Sequence, residues 1–228
     1  VEPAIYPDSD AIPSPNPPAY LPSEPFGTRG LKRLKLGLRT TLISTLAVDD
    51  MIGEIHDALE ADGRLANTVW VFISDNGASS GEHRLFGKEC EYWICHRVPF
   101  VVACPPGVCG GATPGVQDFD NYALNIDIAP TIAELAGATP TIPVDGISMV
   151  PLLTNTATTW RTEWFLHENG PLLDGIVAVG SDGDWYKYVK FTSTGEVEMY
   201  NLADDPYELA NLAGNSDFAE IETAREMR

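Results

Sequence analysis

The residues with the most chemistry in them are Ser74-Asp75-Asn76-Gly77, followed by Gly87-Lys88, whose glycine stands eleven positions after the asparagine. A carboxylate and an amide oxygen side by side suit a hard divalent cation of the calcium or magnesium kind, where thiolates or imidazoles would suit zinc. The lysine supplies a point charge for a tetrahedral anion. In isolation, Asp-Asn-Gly is a turn, because all three residues tolerate left-handed backbone. Only its surroundings argue for more.

Those surroundings begin with Thr68-Val69-Trp70-Val71-Phe72-Ile73, an apolar, β-branched and aromatic run that predicts a buried strand. Ligands of open α/β sheets gather beyond the carboxyl ends of such strands. Upstream, within residues 38–61, Leu42, Leu46, Ile52, Ile55 and Leu59 recur at helical spacing and predict an amphipathic helix laid on the sheet, with Gly63 as its stop. Asp49 and Asp50 fall inside it as helix neighbours, about 100° apart around the axis, and read as solvated residues rather than a chelating pair. His56 reads the same way.

A second strand is expected from Val98 to Ala103, and a short helix from Asp127 to Gly137 with Asp127 or Asn125 as cap. This order predicts an α/β fold with a mostly parallel sheet and flanking helices. Farther on, Ile176–Val179, Trp185–Phe191 and Val197–Leu202, separated by Ser-Asp-Gly-Asp and Ser-Thr-Gly, predict an antiparallel meander, followed by a terminal helix. Prolines 3, 7, 13, 15, 17, 18, 22 and 25 exclude a helix from the first thirty residues, which are expected to be extended and, alone, disordered. The expected organisation is an extended segment (1–37), an α/β domain (38–160) and a small antiparallel subdomain (161–228).

Several stretches together carry a family likeness. They are Leu46 to Gly53, the run VWVFISDNGASSGEHRLFGK ending at Lys88, Tyr92 with Arg97-Val98-Pro99, and Asn125 to Thr131. Val144 to Ser148 with Pro151-Leu152-Leu153, and Met199 to Leu202 with Asp205-Pro206-Tyr207-Glu208-Leu209, continue it in order. The chain resembles the catalytic domain of the sulfatases, in the alkaline phosphatase superfamily, and within it the arylsulfatase and N-acetylglucosamine-6-sulfatase-like enzymes. The resemblance implies hydrolysis of sulfate monoesters by a formylglycine nucleophile with bound calcium, magnesium being the lesser choice. It implies that Asp75 and Asn76 ligate the ion and that Lys88 contacts the sulfate group. It also sets His83 near the substrate mouth, where the ring would contact sulfate or sugar, protonate a leaving group, or only brace its turn.

The Cys-x-Pro-Ser-Arg or Ser-x-Pro-Ser-Arg signature of that family, its early Asp-Asp pair and its catalytic histidine do not occur in the chain. Cys104-Pro105-Pro106 does not continue into the signature. The expectation is therefore the C-terminal part of a sulfatase, with formylglycine in a missing N-terminal part, weak cation binding and no turnover by the chain alone. Two alternatives stand beside it: a phosphoester hydrolase of the same superfamily, disfavoured by the single Asp-Asn pair, and an inactive remnant or binding protein. Ala78-Ser79 and Tyr92-Trp93 replace the Tyr-His and Tyr-Glu of relatives. Arg97 reads as structural, His96 has no derivable role, and His167, Glu168 and Asn169 are further candidates for lining a cleft.

The 228 residues, 44% of them hydrophobic, suffice for a core. With 14 Lys and Arg against 33 Asp and Glu the formal charge is −19, which argues against nucleic-acid binding and requires locally reversed charge for a sulfate ester, the small-molecule or sugar partner expected here. No apolar run approaches the roughly 20 residues that span a bilayer, so a soluble chain without a transmembrane segment is expected. The family is often exported or lysosomal; the chain itself fixes no location. Cys90, Cys95, Cys104 and Cys109 form two C-x4-C pairs, compatible with buried thiols, disulfides or a metal cluster, thiols being the simplest.

Overall fold

Helix α1 (Thr28–Ala61) is the longest element of the computed structural model, which describes Pro13 and residues 17–88, 90–110, 121–167, 173–219 and 221–222. The helix starts soon after Pro25, earlier than its apolar periodicity suggests, because nothing between Thr28 and Leu38 forbids a helix. It ends in a Schellman motif. Gly63 takes a left-handed φ of 69°, its N–H donates to Glu60 O at 3.0 Å, and Arg64 N–H donates to Leu59 O at 2.9 Å. Only Leu34 of α1 is buried, whereas Leu36, Leu42, Leu46, Met51 and Ile55 are exposed. The expected packing of this stripe on a sheet is thus not found; Asp49 and Asp50 are exposed, as expected.

The other elements follow as β1 (Trp70–Ile73), β2 (Ser79–Ser80), β3 (Phe86–Gly87), α2 (Trp93–His96), β4 (Phe100–Ala103), α3 (Ile128–Leu135), α4 (Val150–Leu153), β5 (Glu163–His167), β6 (Leu173–Val179), β7 (Trp185–Phe191) and β8 (Val197–Asn201). All strand pairing among the described residues is antiparallel: β1 with β4, β2 with β3, and β5-β6-β7-β8 in one sheet. The expectation of a mostly parallel sheet is overturned, although the fold remains α/β. Parallel neighbours need a long crossover, usually helical, and the segment between β1 and β4 holds only a two-stranded ribbon and the single turn α2. The chain therefore returns in the opposite direction, pairing Trp70 with Ala103 and Ile73 with Phe100. Neither run is buried as expected: Val71, Phe72 and Val101 are exposed and the rest of β1 is half-buried, so the apolar pattern reports strand formation but neither burial nor direction.

The chain divides into two compact units, one made of Val1–Thr45, Asp75–Val98 and Thr162–Arg228, the other of Leu46–Ser74 and Pro99–Arg161. In the second unit, β1 and β4 form the ribbon and Asp127 organises the segments around α3. The fully buried Asp127 carboxylate accepts from Leu124 N–H at 2.7 Å, Ile147 N–H at 2.8 Å and the Arg161 guanidinium at 2.5 Å. Gly137, with φ of 63°, closes α3 where the sequence places its stop. A Cβ on Gly146 would lie 2.1 Å from Ile126 O, so only glycine fits that approach.

In the first unit, the β5–β8 meander has two buried faces with the period of two that a strand imposes. One face is apolar: Ile176, Ala178, Tyr188 and Met199 pack with Leu212, Ala213, Phe218 and Ile221. Val177, Lys187, Val189, Glu198 and Tyr200, all buried, occupy the alternate positions. The three strands read from sequence are present, and β5 is a fourth that no turn residue announces on its N-terminal side. Of the expected terminal helix, Ala219, Ile221 and Glu222 are helical, directly after a short 3-10 helix, Ser216–Phe218; residue 220 and residues 223–228 lie outside the described residues. Most of residues 1–16 are likewise outside. Pro13 and Leu21 are buried, so this part of the proline-rich segment is packed rather than disordered.

All four cysteines are paired, Cys90 with Cys95 and Cys104 with Cys109, at Cα separations of 5.8 and 5.9 Å. The simpler expectation of free thiols fails because a turn folds each C-x4-C back on itself, bringing the two Cα atoms into the range a disulfide spans.

Candidate functional site

Asp75 and Asn76 leave the end of β1 in a turn that the side chains themselves close. Asn76 N–H donates to Asp75 Oδ1 at 2.9 Å, and Asn76 Nδ2 donates to Gly77 O at 2.7 Å. Asp75 is exposed and Asn76 half-buried. Gly77 then docks on the disulfide loop, its N–H donating to Cys95 O at 2.9 Å. A Cβ there would stand 2.0 Å from Ile94 O and 3.0 Å from Cys95 Cα, both backbone. Gly77→Ala is accordingly expected to displace the loop and cost about 1–3 kcal/mol, as overpacking does, read as a lowered midpoint of urea unfolding.

From Gly77 the chain enters the β2–β3 ribbon, in which Ser79 pairs with Gly87 and Ser80 with Phe86. The buried Ser79 hydroxyl donates to Leu85 O at 2.8 Å, and Glu82 Oε2 accepts from Ser80 N–H at 2.5 Å. His83 and Arg84 both hold left-handed φ, 52° and 61°, a costly conformation for residues with a Cβ. Arg84 reaches Pro22 O at 3.1 Å and Ser23 O at 2.5 Å, tying this turn to the segment before α1. The ribbon delivers Gly87-Lys88 to the same loop: Cys95 Sγ lies 3.8 Å from Gly87 O. Lys88 is exposed.

Cys95 thus touches the residue after Asn76 and the residue before Lys88. His83 belongs to a different environment. It is 1% exposed, and its ring stacks on Tyr92 with centroids 3.5 Å apart and planes 8° from parallel. Burial first, and the nearby Lys187 ammonium second, push the imidazole down to about 3, so the ring is neutral at physiological pH. Arg97 is exposed at the end of α2, its N–H donating to Trp93 O at 2.7 Å. His167 closes β5 opposite Asp174; Glu168 and Asn169 lie outside the described residues.

Beneath the loop lies a polar cluster that sequence reasoning missed. Lys187 Nζ, fully buried, donates to Glu91 O at 2.6 Å and forms an ion pair with Glu208. Glu208 Oε2 accepts from Trp93 N–H at 2.5 Å. Glu198 accepts from Tyr20 OH at 3.0 Å, from Tyr92 OH at 3.1 Å and from Tyr200 OH, and Tyr20 OH also meets Glu91. Burial pushes the Glu198 carboxyl up to about 7, and the Glu91 and Glu208 carboxyls also rise for that cause. One signal was available: at period two Lys187 falls between Trp185 and Val189, on a face too apolar for a solvated lysine.

The sulfatase family model matches residues 22–138, and the model described as N-sulphoglucosamine sulphohydrolase, C-terminal, matches residues 81–228. The chain belongs to the sulfatase family. Its relatives include an N-acetylglucosamine-6-O-sulfatase of Bacteroides thetaiotaomicron, 32% identical over 188 residues that cover 80% of this chain and 33% of the relative. An arylsulfatase of Clostridium perfringens is 30% identical, covering 84% of the chain and 38% of that protein. A solved structure of a protein in complex with its substrate D-glucosamine-2-N,6-O-disulfate superposes with a TM-score of 0.74 at 29% identity, covering 85% of this chain and 40% of the other. The chain therefore spans about a third of the length of the curated sulfatases it matches.

Two expectations are corrected by these matches. The likeness is not confined to a C-terminal part, because the two family models together run from residue 22 to the last residue. The assignment of formylglycine to a missing N-terminal part loses its basis with it, since the sulfatase model itself is matched within the chain. Nor do ligands assemble a calcium site at Asp75. Among the described residues, three His, Cys, Asp or Glu side chains approach closely enough to share an ion only at His56, Asp57 and Glu60, all exposed on α1. The Asp75 carboxylate is engaged in its own turn, accepting from Asn76 N–H.

Proposed function

We propose that the chain belongs to a hydrolase of sulfate monoesters carried on sugar-like alcohols, and that Lys88 with the Asp75-Asn76 turn forms the part of its site that receives the sulfate group. The observation that carries this reading is the meeting at Cys95, whose carbonyl accepts the Gly77 N–H and whose disulfide sulfur lies in van der Waals contact with Gly87 O, so that the neighbours Asn76 and Lys88 reach one loop from two directions. Kinship with an N-acetylglucosamine-6-O-sulfatase supports the substrate class. In such hydrolysis the bond from sulfur to the bridging oxygen breaks while the non-bridging oxygens keep their negative charge. An ammonium held against those oxygens stabilises them through the transition state and reverses, at short range, a chain charge of −19.

Asp75 and Asn76 border the sulfate group beside Lys88, as a turn already closed by its own hydrogen bonds. No step is assigned to an ion. His83, neutral and enclosed, braces the turn that presents Lys88 and does not transfer the proton.

Calorimetric titration of the chain with inorganic sulfate, the product of the reaction, tests the reading. Sulfate should bind, and Lys88→Ala should weaken it about tenfold or more, the range for loss of a charge-assisted contact. Equal affinity in the variant, or no binding in the parent, refutes the assignment.

A further inference from the structure

The buried polar face of the meander takes no part in the chemistry assigned to Lys88, yet it grips the loop on which that site is built. Lys187 Nζ holds Glu91 O at 2.6 Å, and its partner Glu208 holds Trp93 N–H at 2.5 Å. These two main-chain groups flank Tyr92 inside the Cys90–Cys95 ring, at the start of α2. Within one turn, Cys95 O receives the Gly77 N–H and Cys95 Sγ meets Gly87 O. Tryptophan packing follows the same line: Trp93 lies 6.3 Å from Trp164, which lies 5.3 Å from Trp185, two residues before Lys187.

A buried ion pair contributes little more cohesion than well-packed apolar side chains of the same size, because desolvation offsets most of its attraction. Its distinctive capacity here is directional, one acceptor and one donor of the loop backbone being held at fixed positions. We infer that Lys187 and Glu208 are positioning residues for the Asp75-Asn76 and Lys88 site, fixing the Cys90–Cys95 loop, which in turn fixes Gly77 through its hydrogen bond and packs against Gly87. The functional meaning rests on the sulfate-site reading above; the linkage itself rests on geometry alone.

The test is the double variant Lys187→Met/Glu208→Leu in the full chain, which keeps the core filled and leaves no orphan charge. Amide hydrogen exchange is measured at Gly77, with Tyr188 and Met199 as internal controls, alongside titration with inorganic sulfate. The Gly77 amide is expected to exchange about tenfold faster while the two core amides keep their protection, the pattern of a local opening rather than a global one. Sulfate affinity should fall by a similar factor. Unchanged Gly77 exchange in a folded variant overturns the inference, whatever sulfate does. If the double variant does not fold, Lys187→Met decides by the same readout, since Glu208 can then take up a proton. Failure of the parent to bind sulfate would refute the function proposed for the site and leave the exchange result to judge the linkage.

Discussion

Glu208→Ala lowers the free energy of unfolding by about 3–5 kcal/mol, the expected cost of breaking a buried ion pair from one side. The carboxylate is 1% exposed and Lys187 0%, so the ammonium left behind has no water to turn to. It would have to lose its proton or drag the β7 backbone toward solvent, and the Trp93 N–H would lose its acceptor as well. Lys187→Ala should cost less than Glu208→Ala. Burial already raises the Glu208 carboxyl, which neutralises by binding a proton once the ammonium has gone. Removing both charges together as Lys187→Met/Glu208→Leu should recover most of the loss. Urea unfolding of the three variants decides the matter: a cost below about 1 kcal/mol for Glu208→Ala would mean the pair is solvated in ways its burial denies.

Acidic solution, within limits, should stabilise this fold. Burial raises the Glu198 carboxyl from 4.5 to about 7, against the opposing pull of its hydrogen bond from Tyr200. The folded state therefore binds this proton more tightly than the unfolded chain does. The stabilisation is complete below pH 4.5 and is lost as pH climbs through about 7, a change of about 3 kcal/mol for a shift of that size. Glu91, also raised by burial, contributes with the same sign. Glu198→Gln imitates the protonated acid at every pH, so the difference in unfolding free energy between pH 5 and pH 8 should shrink by about that amount. If the variant keeps the full pH difference of the parent, the titrating group is elsewhere.

The elements whose sequence patterns are local were legible. Gly63 and Gly137 stop helices where their left-handed backbone is needed, and three meander strands follow their turn residues. Strand direction was not legible, because the apolar runs of β1 and β4 carry no sign of which way each will run; the length and helix content of the intervening segment decide it. Asp75, Asn76 and Lys88 drew attention by type and spacing, but their common anchor at Cys95 depends on a disulfide that the cysteine spacing left open. Lys187 and Glu208 were hidden for a different reason. They lie 21 positions apart, and nothing in a one-dimensional pattern says that a strand lysine will meet a loop glutamate whose own φ is 54°.

The enclosure of Lys187 also gives the molecule a built-in timer. Amine-acylating reagents will modify Lys88 readily in the native chain, but they reach Lys187 only in molecules that have opened the meander. Once acylated, that side chain has lost the charge that answers Glu208, so such a molecule cannot close as before. The label is permanent, and the rate at which it accumulates at this one position reports the population of opened molecules where reclosing outpaces acylation, and the opening rate where it does not.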